Sequence, residues 1–166
     1  MIKFIIYSFK RRQIVMAESY SYIYNKINFN QILLVCSPLK KCMEYKRIVN
    51  MVLGNADYIY VHIETFMDEF IEALHNKSVD KFKQKYTICK LLFLRDIHFL
   101  TNKISTQEEV YNIIKTRIEN NLKTIVISSV SSEELSKTLT PELYELLSLE
   151  HINDDLTSLK NESSND

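Results

Sequence analysis

The stretch Lys90-Leu-Leu-Phe-Leu-Arg-Asp-Ile-His-Phe-Leu100 sets the reading of the whole chain. Its four consecutive large apolar residues, Leu91 to Leu94, suit a strand buried on both faces, because a half-exposed strand would alternate apolar with polar. The charged pair Arg95-Asp96 ends the run. Two other segments share its character: Gln31-Ile-Leu-Leu-Val-Cys36, broken by Pro38, and Thr124-Ile-Val-Ile-Ser-Ser129. Tyr58-Ile-Tyr-Val-His62 reads as a further strand, and Ile2 to Tyr7 as either a strand or a lead-in segment.

The intervening segments carry helical spacing. Arg11 to Lys26 places Ile14, Val15, Tyr22 and Ile23 at mixed helical intervals, and Lys41 to Leu53 ends at Gly54-Asn55, a good C-terminal cap. Glu64 to His75 is expected to carry Phe66, Phe70, Ile71 and Leu74 on one buried face. Val79 to Tyr86 forms a shorter helix, and Thr106 to Asn120 one opened by a capping residue before Glu108 and Glu109. Ser128, Ser129, Ser131 and Ser132 read as a turn with helix capping, and Pro141 to Leu149 as a last helix. Strands alternating with helices imply right-handed crossovers. The expected fold is α/β, a three-layer doubly wound sheet, mostly parallel, of four to five strands, with the fifth strand near Leu149 to Ile152 left open. The domain is expected over residues 1–152. Residues 153–166, rich in Asn, Asp and Ser, are expected to be a disordered tail.

Composition excludes several function classes. Of 166 residues only one is glycine, so Gly54 alone cannot build a phosphate-cradling loop, a dinucleotide fingerprint or a nucleophile elbow. Lys plus Arg and Asp plus Glu both number 21, which argues against a broadly basic nucleic-acid binder. Cys36, Cys42 and Cys89 match no zinc spacing and read as reduced thiols of a cytoplasmic protein. The apolar N-terminus precedes Lys10-Arg11-Arg12 instead of following it, the reverse of a signal peptide, and no run is long enough to span a membrane. His62 and His98 sit at strand ends, where α/β folds bind ligands, though a lone histidine there is more often a satisfied structural one.

The segment Lys90 to Leu100, followed by Asn102-Lys-Ile-Ser-Thr-Gln-Glu-Glu109, resembles the bacterial replication initiator DnaA family around its Walker B strand. The resemblance continues upstream through Ile63–Leu74 and Lys81–Tyr86, and downstream through Lys123–Ser129, which is similar to the sensor-1 strand. It implies an AAA+ core, without the family's helical lid or its DNA-reading helix-turn-helix. At the positions that would hold nucleotide the chain departs from the family. Its phosphate-loop segment reads Cys36-Ser-Pro-Leu-Lys-Lys-Cys-Met43, with Cys42 at the Lys position, Met43 at the Thr position, and Lys41 (beside Lys40) the nearest cation. Arg95 replaces the metal-orienting acid, Asp96 alone remains, and Val130 replaces the sensor-1 polar residue. The segment that would carry the arginine finger, Leu139-Thr-Pro-Glu-Leu-Tyr-Glu-Leu-Leu147, contains no arginine. Arg95 is expected to reach solvent through the vacated cleft rather than pair with Glu64 or Asp68, while Asp96 points away from it.

The resemblance therefore implies a DnaA-like domain that does not hydrolyse ATP, needs no cofactor or metal, and acts in replication initiation or its regulation by protein contact. A full-length DnaA-type initiator or a helicase loader would be its partner. The alternative is a weak single-stranded DNA module. The resemblance supplies Ile71 as an apolar backbone contact, and Lys103 and Thr106 as basic and hydroxyl contacts, with Ser105 where the family has arginine. Lys81, Lys83 and Lys85, interleaved with Phe82 and Tyr86, would add a basic, partly aromatic edge, although such a series is more often a solvated helix face.

Overall fold

The computed structural model describes residues 31–36 and 57–149, and the backbone of 151–153. The expected segments Ile2–Tyr7, Arg11–Lys26 and Lys41–Leu53, the positions Lys41, Cys42 and Met43, and the tail 154–166 lie outside the described residues. In chain order the elements are β1 (Ile32–Cys36), β2 (Tyr58–His62), α1 (Ile63–His75), α2 (Val79–Ile88), β3 (Leu91–Arg95), a 3-10 turn (Ile97–Leu100), α3 (Ile104–Glu119), β4 (Lys123–Ser128), α4 (Ser132–Thr138), α5 (Pro141–Ser148) and β5 (His151–Asn153).

The strands form one sheet in the order β2-β3-β4-β1-β5, and each neighbouring pair is parallel. Register aligns Leu34, Val126 and Leu94 across the three central strands. Alternate side chains supply the two faces. Leu34, Leu92, Leu94 and Val126 join the helices in one apolar core, while Leu33, Val35, Phe93, Ile125 and Ile127 are equally buried toward the other side. This burial on both faces is why these strands read as unbroken apolar runs. The fifth strand, left open by the sequence, is β5 beside β1.

Helix α1 corrects one expectation. Ile63, Phe66, Phe70 and Ala73 line its buried arc, whereas Ile71 and Leu74 are about half exposed, because 100° per residue rotates them off that arc. Helix α3 starts two residues earlier than expected, at Ile104 after the cap residue Lys103, and Asn102 with its φ of 61° ends the preceding turn. Its start is fixed by Gln107, which donates 2.7 Å to the Leu100 carbonyl and accepts 2.6 Å from the Thr140 amide, tying α3 to the α4–α5 corner. The serine-rich turn does cap a helix. Ser131 accepts from the Glu134 amide and opens α4, a seven-residue helix too short to show a period.

Candidate functional site

At the carboxyl ends of β1 and β4 the connections leave in opposite directions, toward β2 at one edge and β5 at the other. Such a switch point leaves a crevice above the strand ends, where open α/β sheets bind ligands. His62 closes β2, Arg95 and Asp96 close β3, and Ser128, Ser129 and Val130 follow from β4.

Asp96 is the centre of this group. It is only 2% exposed and takes a left-handed backbone, φ 63° and ψ 45°, which a non-glycine residue adopts at a cost. That turn brings its Oδ2 within reach of two donors, Arg95 Nε and His62 Nε2, the latter at 2.8 Å. Arg95 therefore pairs with Asp96, contrary to the expectation that it would run free to solvent while Asp96 faced away. The expectation assumed a continuing strand, and the left-handed residue ends it. Glu64 instead donates its amide to His62 Nδ1 at 3.3 Å, so the imidazole caps α1 with one nitrogen and holds Asp96 with the other. The tautomer with its proton on Nε2 satisfies both contacts.

Hard divalent cations are held by carboxylate oxygens, and Asp96 Oδ2 already accepts from a guanidinium and an imidazole. Val130 offers its amide to Ser128 Oγ at 3.1 Å and packs its side chain against the core.

His98 lies in the same region, 3.3 Å from Ser129 Oγ through Nε2, while its Nδ1 is buried without a partner. A serine beside a histidine whose far nitrogen has no orienting carboxylate is not a nucleophilic dyad. The ring stacks on Phe99 with centroids 4.4 Å apart, and Phe99 lies 5.8 Å from His62. Burial pushes the His98 pKa below that of a free imidazole. A base with a depressed folded-state pKa favours the fold while neutral, so its contribution is present above the unfolded value and lost as pH falls below it. We expect Tm to fall between pH 7.5 and 5 and the fall to be shallower in His98→Gln, which keeps a donor toward Ser129. Equal slopes in thermal melts of the two proteins would refute this assignment.

The other positions named from sequence separate into two sets. Lys83 is paired with Glu109 at 3.2 Å, and Lys85 with Glu69 at 2.6 Å, so two cations of the expected basic edge are engaged within the domain. The aromatic part of that edge is a correction. Phe82 and Tyr86 are buried and packed on Phe66 and Phe70, with Tyr86 donating to Glu69 at 2.8 Å, because α2 leans its apolar side on α1. Thr106 is buried in the first turn of α3, whereas Lys81, Lys103 and Ile71 are exposed.

Sequence reasoning missed Arg117, which is fully buried. Its guanidinium donates to the carbonyls of Tyr86, Cys89 and Lys123 and to Thr124 Oγ1, joining the ends of α2, α3 and β4. A signal was present, since Val110, Ile113, Ile114 and Arg117 fall at helical intervals and put a charge at an inward position.

The sheet order, with an apolar β3 followed directly by Asp96, places the molecule in the AAA+ class of ATPase-core folds. Residues 19–149 match the Bacterial DnaA ATPase domain, and the chain belongs to that family. The chromosomal replication initiator protein DnaA of Lactobacillus helveticus (strain DPC 4571) is 40% identical over 75 residues, 45% of this chain and 16% of that protein. A replication initiator DnaA structure bound to AMPPCP and single-stranded DNA superimposes with a TM-score of 0.72 at 18% identity, over 82% of this chain and 44% of that one. The DnaC helicase loader gives 0.61 at 16% identity, over 87% of each chain. The chain thus spans less than half the length of the initiators it matches. Among the described residues no helix is long and apolar enough to cross a membrane.

Proposed function

We propose that this chain is a DnaA-like domain that has left ATP hydrolysis and acts in replication initiation, in the cytoplasm, through contact with a full-length initiator or a helicase loader. The observation that carries the reading is the Arg95–Asp96–His62 cluster, a neutralised and internally paired carboxylate where the family needs a free acidic pair. The sequence supports it at Cys42 and Met43, at Val130, and in an α4–α5 corner without arginine. With neither a metal-holding acid nor a finger to offer, such a domain can still present the family's assembly surfaces. It would terminate an initiator filament instead of extending it.

Two measurements test this. Thermal unfolding in millimolar Mg·ATP should show no resolvable change in Tm, because a ligand that does not bind the folded state cannot stabilise it. A saturable upward shift would overturn the loss of nucleotide binding. In the second, stoichiometric chain added to a full-length DnaA initiator on single-stranded DNA should shorten its filaments in electron micrographs. Unchanged lengths, with no co-sedimentation of the two proteins, would sink the protein-contact reading. Anisotropy of a labelled oligonucleotide with the chain alone, at low and high salt, serves as the control, because DNA contacts made through Lys81 and Lys103 would weaken steeply with salt.

A further inference from the structure

Helix α1 turns two unlike ridges outward. Met67, Ile71 and Leu74, spaced i, i+4 and i+7, make an apolar ridge in which Ile71 is 49% and Leu74 51% exposed. Glu64, Asp68 and Glu72, at i, i+4 and i+8, make an acidic ridge beside it, and all three are exposed. Each ridge runs for about 10 Å along the axis. Helix α2 is held by another side of α1, through Phe66, Glu69 and Phe70.

Neither ridge is used up inside the domain. Helix α1 has no lysine or arginine. Among the described residues no ion pair reaches Asp68 or Glu72, and Glu64 has only the His62 ring, 3.6 Å away. Carboxylates four residues apart on one helix repel one another, so the row costs α1 stability that a cation from elsewhere would restore. The neighbouring apolar ridge is the kind of surface that a partner covers.

The chemistry of the occupant follows. The acidic row repels a phosphate backbone, and α1 of a second copy has no cation to bring. A helix surface offers no main-chain donors or acceptors, so an extended peptide laid on it would leave its own backbone unpaired, whereas a helix brings its hydrogen bonds with it. Charge complementarity asks that helix for lysine or arginine one row from its aliphatic contacts. We propose that α1 docks an amphipathic, cationic helix of a partner protein, its aliphatic side chains on Met67, Ile71 and Leu74 and its basic row along Glu64, Asp68 and Glu72. This rests on the protein-contact reading above and adds what the partner must present.

The probe is a labelled peptide of about 15 residues, with leucines at helical spacing and lysines elsewhere. Its controls are the same composition in scrambled order and the same pattern with glutamate for lysine. Anisotropy at low salt should show saturable binding of the patterned lysine peptide and none of either control. Binding should weaken about tenfold in Ile71→Ser/Leu74→Ser and in Asp68→Asn/Glu72→Gln. These side chains are all exposed, so both variants keep the fold, which circular dichroism verifies. Equal affinity for wild type and either variant, or for the lysine and glutamate peptides, would overturn the proposal. Hydrogen exchange of α1 should slow with the lysine peptide. Slowing by oligo(dT), or by raised protein concentration alone, would assign the face to nucleic acid or to a second copy and overturn it too. On initiator filaments, wild type should shorten them and Ile71→Ser/Leu74→Ser should not. Equal shortening by both would overturn α1 as the docking surface while protein contact stands. The peptide titration uses no initiator, so a failed docking face shows there and a failed protein-contact reading shows in the filaments.

Discussion

Replacing Arg117 with methionine is expected to destabilise the domain by about 3–5 kcal/mol, the range for removing one member of a buried polar network. For a domain of this length that is a fall in Tm of about 10 °C. The guanidinium supplies donors to three main-chain carbonyls and the Thr124 hydroxyl where no water replaces them, so the loss strands several acceptors at once. Burial pushes the arginine pKa down, yet a guanidinium keeps its proton in proteins, and a fixed five-donor fork is what the site uses. Arg117→Lys should recover only part of the loss, since one ammonium cannot reach acceptors spread over α2, β4 and the turn before β3. Urea unfolding followed by circular dichroism measures both. A methionine variant within 1 kcal/mol of wild type would show that the network is replaceable by packing.

The second large effect is at Asp96. Asp96→Ala should cost about 2–3 kcal/mol, combining alanine's poorer tolerance of a left-handed position, which aspartate's short polar side chain eases, with the loss of two charge-assisted hydrogen bonds. The share due to Arg95 is kept small here because that side chain is 26% exposed and water can take over its hydrogen bonding. Asp96→Asn should lose less than half as much, because asparagine tolerates the left-handed region and keeps an oxygen for one donor. Matching losses for the two substitutions would mean that charge, and not backbone geometry, holds the turn. Either result bears on function. If Asp96 mainly secures Arg95 and His62, its carboxylate is part of the scaffold.

How far the sequence reached depends on the range of the interactions involved. The parallel sheet, four of its strands and most of the helix series were legible, because a strand buried on both faces must be apolar throughout and a helix packed on one side must repeat near 3.6. Periodicity does not say how far a buried arc extends, so it points Ile71 and Leu74 inward although Ala73 takes that place. The short α4 and three-residue β5 are too brief to carry a period.

The site divides in the same way. The expectation that Cys42, Met43, Arg95 and Val130 stand in place of the family's chemical groups rests on the resemblance and on residue type alone, since a thiol, a thioether, a guanidinium or an isopropyl group cannot do the work of lysine, threonine, carboxylate or a polar sensor. The arrangement around Arg95 could not be read that way. The turn at Asp96, the pairing of Arg95 with its own neighbour and the bridging role of His62 depend on a left-handed residue and on strands β2 and β3 standing side by side. Thr106, Phe82 and Tyr86 went inside for a related reason, since their burial is set by which helix leans on which. Residue type and periodicity are local properties that the chain carries in any conformation. The direction of a side chain at a strand end, and the partner it meets there, are fixed only when segments distant in sequence pack.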